Sequence, residues 1–189
     1  MFKLAAVTDA ASCPRPLGEQ LARIAAYQYA PEAFILRAKK LNADEYAALA
    51  RRAASLLQNT PVKLFLHGHW RLARELGVTR LHLPLGELLA LPPQARNYFR
   101  ELSCSVHSED EARQALAAGA TRLVAGHIYA TACKPGLPPR GLDFLRKICH
   151  VSSAPVYAIG GVKFDAAQWR ELEACGAAGA CIMSAYMRV

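Results

Sequence analysis

The feature that most constrains the fold of this 189-residue chain is a regular alternation of short apolar runs with amphipathic stretches. The apolar runs are rich in Val, Ile, Leu and Ala and mostly lack polar alternation, which is typical of parallel strands covered on both faces. The predicted strands are Phe2–Val7, Ala33–Ala38, Val62–Leu66, Arg80–Leu83, Ser103–Val106, Arg122–Ala125, Val156–Ile159 and Ala180–Met183.

Between these runs lie stretches with helical periodicity and recognisable helix starts. Asn42 is followed three residues later by Glu45, and Ser108 by Glu111, a spacing typical of capping boxes. Gly119 and Gly176 follow two of the stretches, where glycine commonly ends a helix. The predicted helices are Leu17–Tyr27, Asn42–Leu57, Ser108–Ala118 and Asp165–Ala174.

The order of these segments predicts an α/β fold, a (β/α)8 TIM barrel built from residues 1–189 as a single domain. A doubly wound open sheet is the competing architecture, but no GxGxxG turn follows the first strand. Only Ala185–Val189 follow the eighth predicted strand, so the eighth helix is expected to be short or missing. The sequence leaves open whether that helix is naturally absent or was removed.

The composition indicates the cellular location of the protein and excludes several classes of partner and site. Six cysteines at irregular spacings, with no CxxC pair, indicate neither a zinc site nor a disulfide framework. No apolar run reaches the roughly 18–20 residues of a membrane span, and the N-terminus lacks a signal peptide, so we expect a cytoplasmic protein without a membrane partner. The net charge of +8 is scattered and not clustered with aromatic residues, which disfavours nucleic acid. Association of identical copies is left open.

A phosphate site is predicted at the ends of the last two strands. Gly160 and Gly161 allow the backbone to approach a ligand closely, and a following helix would point free N–H groups at an anion. Met183 and Ser184 end the eighth strand, so the four residues fall where TIM barrels commonly bind phosphate. The alternative is that the two glycines only turn a strand into a helix.

Cationic and imidazole side chains follow the second and third strands. Arg37 and Lys39 alternate, so both can face the barrel mouth and bind a carboxylate or phosphate; the alternative is a solvated strand end. His67 and His69 resemble a metal-binding pair, but nothing obvious completes a coordination sphere, so we predict no metal site and interpret them as surface or pocket-rim residues. His82, His107 and His150 are interpreted as structural or exposed, set apart from the site.

His127 is the candidate catalytic residue. It follows a buried strand and begins a long basic loop with the composition of a covering lid, in which Thr131 and Lys134 are candidate substrate contacts. An imidazole in that position can take a proton from a carbon acid and return it elsewhere. The alternative is a structural histidine at a strand end.

Several of these segments together resemble the thiamine phosphate synthase/TenI superfamily. The segments, from about Leu4 to Ser184, are Leu36–Lys39, Ser105–Ser108 with Glu111-Ala112, Gly126–Lys134 with Gly136 and Pro139–Leu142, Pro155–Gly161 and Ile182–Ser184. The resemblance implies a phosphate-binding barrel that acts in thiamine biosynthesis. An ordered series of this kind is more specific than any one motif.

Departures from the synthase pattern favour the TenI-like branch. Synthases carry Asn-Asp-Arg after strand three and Gly-Gln-Glu-Asp after strand four, and an Asp of each helps bind magnesium. Here the two segments are 67–69, His-Gly-His, and 84–87, Pro-Leu-Gly-Glu. The glycine, histidine and Cys-Lys pattern of residues 126–134 is that of TenI.

The TenI resemblance implies a thiazole tautomerase, an isomerase that aromatises a carboxythiazole phosphate by proton transfer. His127 would be base and then acid, and no cofactor would be needed. Arg37 and Lys39, with Thr131 and Lys134, would bind the substrate. The phosphate would lie against Gly160, Gly161, Met183 and Ser184. Two alternatives stay open, a magnesium-dependent thiamine phosphate synthase and a non-catalytic thiazole or thiamine phosphate-binding regulator.

Overall fold

The computed structural model describes residues 2–189 and shows a closed barrel of eight parallel strands. Each strand pairs in parallel with the next one along the chain, and the last pairs with the first. Helices follow the strands and cover the outside of the barrel. The predicted TIM barrel is confirmed, and the open-sheet alternative is excluded.

The elements follow one another in regular order. The strands are β1 (Lys3–Val7), β2 (Ala33–Leu36), β3 (Lys63–His67), β4 (Arg80–Pro84), β5 (Glu101–Val106), β6 (Arg122–Gly126), β7 (Val156–Ile159) and β8 (Gly179–Ile182). The helices are α1 (Leu17–Ala25), α2 (Ala43–Leu57), α3 (Trp70–Glu75), α4 (Leu85–Leu89), α5 (Pro93–Arg96), α6 (Glu109–Ala117), α7 (Gly141–Val151) and α8 (Ala166–Ala174). Among residues 2–189, no helix is both long and apolar enough to cross a membrane.

Side chains of each strand alternate between two apolar layers, because successive residues of a strand point to opposite faces. The inner layer fills the barrel with Ala5, Val7, Ala33, Ile35, Phe65, Val124, Tyr157 and Cys181. The outer layer packs between the sheet and the helices and includes Leu4, Phe34, Leu66, Leu81 and Leu123. Both faces of the sheet are therefore buried, which is why the strands read as continuous apolar runs.

The helix starts agree with the sequence. Asn42 Oδ1 accepts a hydrogen bond from Glu45 N (3.0 Å), and Asn42 N donates to Glu45 Oε2 (2.9 Å), a complete capping box. Ser108 Oγ accepts from Glu111 N at 3.1 Å and begins α6. These side chains satisfy N–H groups that have no partner within the helix.

Several element boundaries differ from the prediction. β2 ends at Leu36, so Arg37 and Lys39 lie in the loop after the strand. The Thr8 hydroxyl explains the early end, because it accepts from Arg37 N and donates to Arg37 O, both at 2.8 Å, and so replaces a strand partner. The helix predicted to reach Tyr27 ends at Ala25. The sequence analysis missed α3, α4, α5 and α7, most of which are short.

Within residues 2–189, β8 is followed by the short 3-10 turn Tyr186–Arg188 and not by an α-helix, as expected. The Tyr186 ring lies 4.8 Å from that of Phe164, which stacks on Tyr29 at 5.4 Å. The Tyr186 hydroxyl donates to Tyr29 O, and the buried Gln20 Nε2 donates to Tyr186 O at 2.7 Å. Because these residues come from both ends of the chain, they join α1 to the segment around α8.

Arg122 closes the barrel at the pole where the strands begin. Its side chain is only 5% exposed, and Nη2 lies 2.9 Å from Glu32 Oε1 and 3.6 Å from Glu101 Oε2. Its guanidinium carbon lies 4.3 Å from the Tyr157 ring centre and 4.9 Å from that of Phe65, a distance at which cations are attracted to aromatic faces. The Arg122 side chain of β6 therefore contacts residues of β3, β5 and β7 and the residue that precedes β2.

His82 is buried inside the barrel, close enough to Arg122 to feel its charge. Nδ1 lies 2.8 Å from Ser103 Oγ and Nε2 lies 2.9 Å from Ser105 Oγ, so both ring nitrogens are satisfied on the neighbouring strand. Burial is the main cause, and the charges of His67, Arg122 and Arg37 a smaller one, of a pKa for His82 lowered to about 3. The ring is neutral near pH 7.

We expect Arg122→Met to lower the free energy of unfolding by about 2–3 kcal/mol, because the substitution removes the charged contacts of a buried cation to Glu32 and Glu101, whereas Glu101 keeps Lys63 and Arg80. Arg113→Met is the matched control, since Arg113 also pairs with two acids but lies on the exposed face of α6. The control should cost less than about 1 kcal/mol. Urea unfolding measures both, and equal losses would contradict this account of Arg122.

His82 should make stability fall on acidification. In the unfolded chain a histidine binds a proton below about pH 6.5, whereas folded His82 stays neutral until about pH 3. Its contribution is therefore present above pH 6.5 and is lost as the pH falls, by about 2 kcal/mol between pH 6.5 and 5. His82→Gln should remove this part of the pH dependence, whereas His150→Gln, at an exposed position of α7, should not. An unchanged pH profile in His82→Gln would refute the assignment.

Candidate active site

The candidate site lies at the mouth of the barrel where the strands end. Parallel strands bring their carboxyl ends to one edge, so residues far apart in the chain converge there. The candidate residues are Arg37 and Lys39 after β2, His67 at the end of β3, His127, Thr131 and Lys134 after β6, Gly160 and Gly161 after β7, and Met183 and Ser184 after β8. The fold therefore brings all of the predicted site residues to the same pole.

A polar row crosses the barrel beneath the mouth. Leu36 and Leu66 form the last pair of β2 and β3, and Arg37 and His67 directly follow them in the chain. His67 in turn pairs with His82, and their rings lie 5.3 Å apart. The hydrogen bonds of His82 to β5 continue the row. His67 therefore lies on a fixed polar surface and not at a flexible rim.

The electrostatic environment of His67 is positive. Its pKa is lowered to about 4, mainly by burial and in addition by the charges of Arg37, Lys39 and His69. The imidazole is neutral near pH 7 and offers one N–H donor and one lone pair. An anion is the ligand that this part of the mouth favours, because it would offset the clustered positive charge.

The two histidines after β3 do not act as a pair. The His69 ring stacks on Tyr46 of α2 at 3.9 Å, whereas the His67 ring faces the barrel interior. His69 has a positive φ of 26°, and Gly68 between them has φ 77°. The chain therefore turns sharply here and sends the two imidazoles in different directions.

The donors at this corner do not fit a magnesium ion. Within residues 2–189, no three His, Cys, Asp or Glu side chains are grouped as metal ligands. Gly68 occupies the position of one synthase aspartate, and a Cβ there would lie 3.5 Å from Glu87 Oε2. The carboxylate of Glu87 therefore stands alone where the resemblance leads us to expect two.

His127 is buried beneath the loop that follows β6. It is 6% exposed, and Nε2 lies 3.4 Å from Leu137 O, a long contact. Nδ1 has no hydrogen-bond partner in the described part of the chain. The backbone is fixed because Arg140 N donates to His127 O at 2.9 Å. A buried, unpaired ring nitrogen at a barrel mouth is a group that a ligand can satisfy.

The same loop carries the two predicted substrate contacts. Thr131 Oγ1 accepts from Cys133 N at 3.3 Å, so this hydroxyl takes part in a local turn. Lys134 is half-buried and forms no ion pair with any residue between 2 and 189. Lys134 is therefore the better placed of the two to bind an anion.

The glycines after β7 are required by packing. A Cβ on Gly160 would lie 2.3 Å from His127 Cβ, and one on Gly161 would lie 2.6 Å from Ala130 O. Both have positive φ, 98° and 70°. The positive φ values fit the alternative that the glycines turn the chain, and the close packing against the β6 loop is a further reason for glycine that is compatible with ligand binding.

Free N–H groups at this turn come from the loops and not from α8. Asp165 Oδ1 accepts from Ala167 N (2.8 Å) and Gln168 N (3.3 Å), so the start of that helix is already capped. Within residues 2–189, the N–H groups of Gly161 and Ser184 donate to no acceptor. The proposal that α8 points free N–H groups at an anion is wrong, and the strand-end amides are the available donors.

His82 is the functional candidate that the sequence analysis set aside. It lies buried inside the barrel and supports His67. The signal was present in the sequence, because Ser103 and Ser105 alternate along β5 and mark a polar inner face opposite His82.

Comparison with known proteins identifies the relatives of this barrel. The family described as thiamine monophosphate synthase matches residues 4–186. Thiamine-phosphate synthase of Thermus thermophilus is 35% identical over 129 residues, which cover 67% of this chain and 62% of that protein. The enzyme of the same name from Neisseria meningitidis serogroup B is 34% identical over 138 residues, 70% of this chain and 66% of that protein. The chain thus spans less than two thirds of these relatives.

A solved structure agrees with the sequence relatives. Thiamine phosphate pyrophosphorylase from Pyrococcus furiosus superposes with a TM-score of 0.83 at 25% identity, covering 100% of this chain and 88% of that one.

The assignment to a tautomerase, and with it to the isomerases, is wrong. The relatives are named thiamine-phosphate synthases, which are transferases, and this favours the synthase alternative. The assignment failed because it weighed His127 and a few loop residues above similarity spread over the whole barrel. Over residues 4–186, the chain belongs to the thiamine monophosphate synthase family.

Proposed function

We propose that the chain binds a phosphorylated thiazole and a phosphorylated pyrimidine at the barrel mouth and acts as a transferase of the thiamine-phosphate synthase type. The observation that carries the proposal is the presence of two anion-binding groups at one mouth. Cationic side chains follow β2, and unpaired N–H groups follow β7 and β8. Two substrates that each carry phosphate fit such an arrangement.

The thiazole phosphate belongs at the ends of β7 and β8. Gly161 and Ser184 would donate their N–H groups to phosphate oxygens, with Gly160 and Met183 shaping the turn. Backbone donors suit a phosphate because several of them can point at one anion. None of the four residues proposed to contact the thiazole phosphate is acidic, so none of their side chains would repel it.

The diphosphate of the pyrimidine belongs on the side of β2 and β3. Arg37 and Lys39 would attract it, and Lys134 would approach from the covering loop together with Thr131. A synthase of this class displaces diphosphate, so positive charge at this point stabilises the leaving group as its negative charge develops. No step is assigned to a metal ion, because the donors at this corner do not fit one.

His127 lies between the two anion groups in chain order, beneath the loop that covers the site. Its unpaired Nδ1 can bond a polar substrate atom once a ligand is bound. We assign it a positioning role in the transfer reaction, since displacement of diphosphate requires no proton relay through this ring.

A non-catalytic phosphate-binding protein is the second candidate. The observation that favours it is the single carboxylate, Glu87, beside Gly68, where the synthase pattern has two aspartates. Both candidates share the same ligands and differ only in turnover.

Condensation of a pyrimidine diphosphate with a thiazole phosphate tests the proposal directly. The purified chain should form thiamine phosphate and release diphosphate, both measured by chromatography. Binding of both ligands by calorimetry without any product would favour the second candidate. Absence of binding would overturn both.

His127→Asn should lower kcat/KM of the condensation about tenfold, because it removes a hydrogen bond worth about 0.5–1.5 kcal/mol. The thermal midpoint should change little, since one long contact to Leu137 O is the only hydrogen bond that the buried ring makes with residues 2–189. His150→Asn, on the exposed side of α7, is the matched control and should leave both quantities unchanged. Normal kcat/KM in a folded His127→Asn variant would place this residue outside the site.

A further inference from the structure

We propose that this barrel binds diphosphate without a divalent cation, using Arg37, Lys39 and His67 where a synthase of the family pattern uses magnesium. The inference rests on the proposed function for the identity of the ligand. It concerns binding alone, so it can be tested whether or not the chain turns over.

The first support is Arg37, which has a fixed backbone and an available guanidinium. Its backbone is held on both sides by the Thr8 hydroxyl at 2.8 Å. Its only carboxylate contact within residues 2–189 is Asp9 Oδ1, 3.6 Å from Nη1 and beyond a strong hydrogen bond. Lys39 forms no ion pair in the same part of the chain. Most of the donors of both cations are therefore free for an anion.

The second support is the place of His67 in the polar row. Arg37 directly follows the last residue pair of β2 and β3 on one side of it, and strand pairing sets His82 on the other side. His82 is itself held by Ser103 and Ser105, so His67 lies against a rigid surface. The lowered pKa of His67, caused by burial and then by Arg37 and Lys39, is consistent with a site of positive potential. A neutral ring there can donate its N–H to a phosphate oxygen.

The third support is the state of the nearby carboxylates. Asp9 Oδ2 accepts from the Ser12 hydroxyl, and Asp9 Oδ1 lies 3.6 Å from Arg37 Nη1, whose positive charge would oppose a metal cation at that oxygen. Gly68 has no carboxylate, which leaves Glu87. Magnesium demands near-octahedral oxygen coordination, whereas an Arg fork and ammonium groups bind phosphate oxygens directly. The side chains at this corner therefore suit direct binding of phosphate oxygens by cationic groups and not binding through magnesium.

Calorimetric titration with inorganic diphosphate, in EDTA and again with excess magnesium, tests the inference. We expect the Kd in EDTA to be within about threefold of the Kd with magnesium, or tighter. Binding that is tenfold or more tighter with magnesium would overturn it, as would absence of binding in EDTA. Glu87→Gln serves as a check, because it should leave the Kd in EDTA unweakened, whereas a magnesium site on Glu87 would lose its metal dependence in this variant.

Three variants assign the binding to the proposed residues. Arg37→Gln should weaken diphosphate binding in EDTA about tenfold or more, and Arg37→Lys should restore part of it because the charge returns without the planar fork. His67→Asn should weaken binding about three- to tenfold. Arg113→Gln on α6 is the control and should leave the Kd unchanged. An unchanged Kd in Arg37→Gln, with the fold intact by thermal unfolding, would refute the assignment.

The experiment separates this inference from the proposed function. Diphosphate bound in EDTA without any condensation would support the inference and refute the transferase. Condensation that needs magnesium, with diphosphate bound only when magnesium is present, would support the transferase and refute the inference.

Discussion

The barrel depends on what fills its interior, and the contact that organises the interior is the buried ion pair of Arg122. A closed sheet of eight parallel strands has room inside only for side chains, so each inward residue must match those of other strands. Arg122 reaches Glu32 and Glu101, and Phe65 and Tyr157 cover its guanidinium on their ring faces. A charge at this depth is tolerated because acids and aromatic faces surround it.

This arrangement divides the barrel into two poles with different tasks. The pole where the strands begin is locked by paired charges, including Lys63 and Arg80 on Glu101. The pole where the strands end carries cations that are weakly paired or unpaired and N–H groups without acceptors, measured over residues 2–189. Paired charges therefore stabilise the fold at the pole where the strands begin, and cations at the other pole are available to a ligand. His82 lies close to both groups, because it pairs with His67 and is near the Arg122 charge.

The strand pattern and the helix caps were sufficient to predict the fold. Asn42 with Glu45 set the start of α2 correctly because a capping box is local and does not depend on tertiary contacts. Boundaries set by tertiary contacts were not predictable in this way. The early end of β2 depends on the Thr8 hydroxyl, 29 residues away from Arg37 in the chain. The branch of the family was also misjudged, because loop residues such as His127 vary with little effect on the barrel that carries the overall similarity.

The two departures at the β3–β4 corner fit together physically. An aspartate in place of Gly68 would bring its carboxylate against that of Glu87, whose Oε2 lies 3.5 Å from the position of such a Cβ. Two adjacent carboxylates ionise together only when a cation lies between them, since otherwise the pKa of one is raised strongly. Glycine removes this requirement, and its positive φ of 77° suits the sharp turn that directs His67 inward and His69 outward. With one carboxylate left, Arg37 and Lys39 give this corner an excess of positive charge. A ligand that enters there neutralises the excess directly, and its own negative charge replaces the missing aspartate.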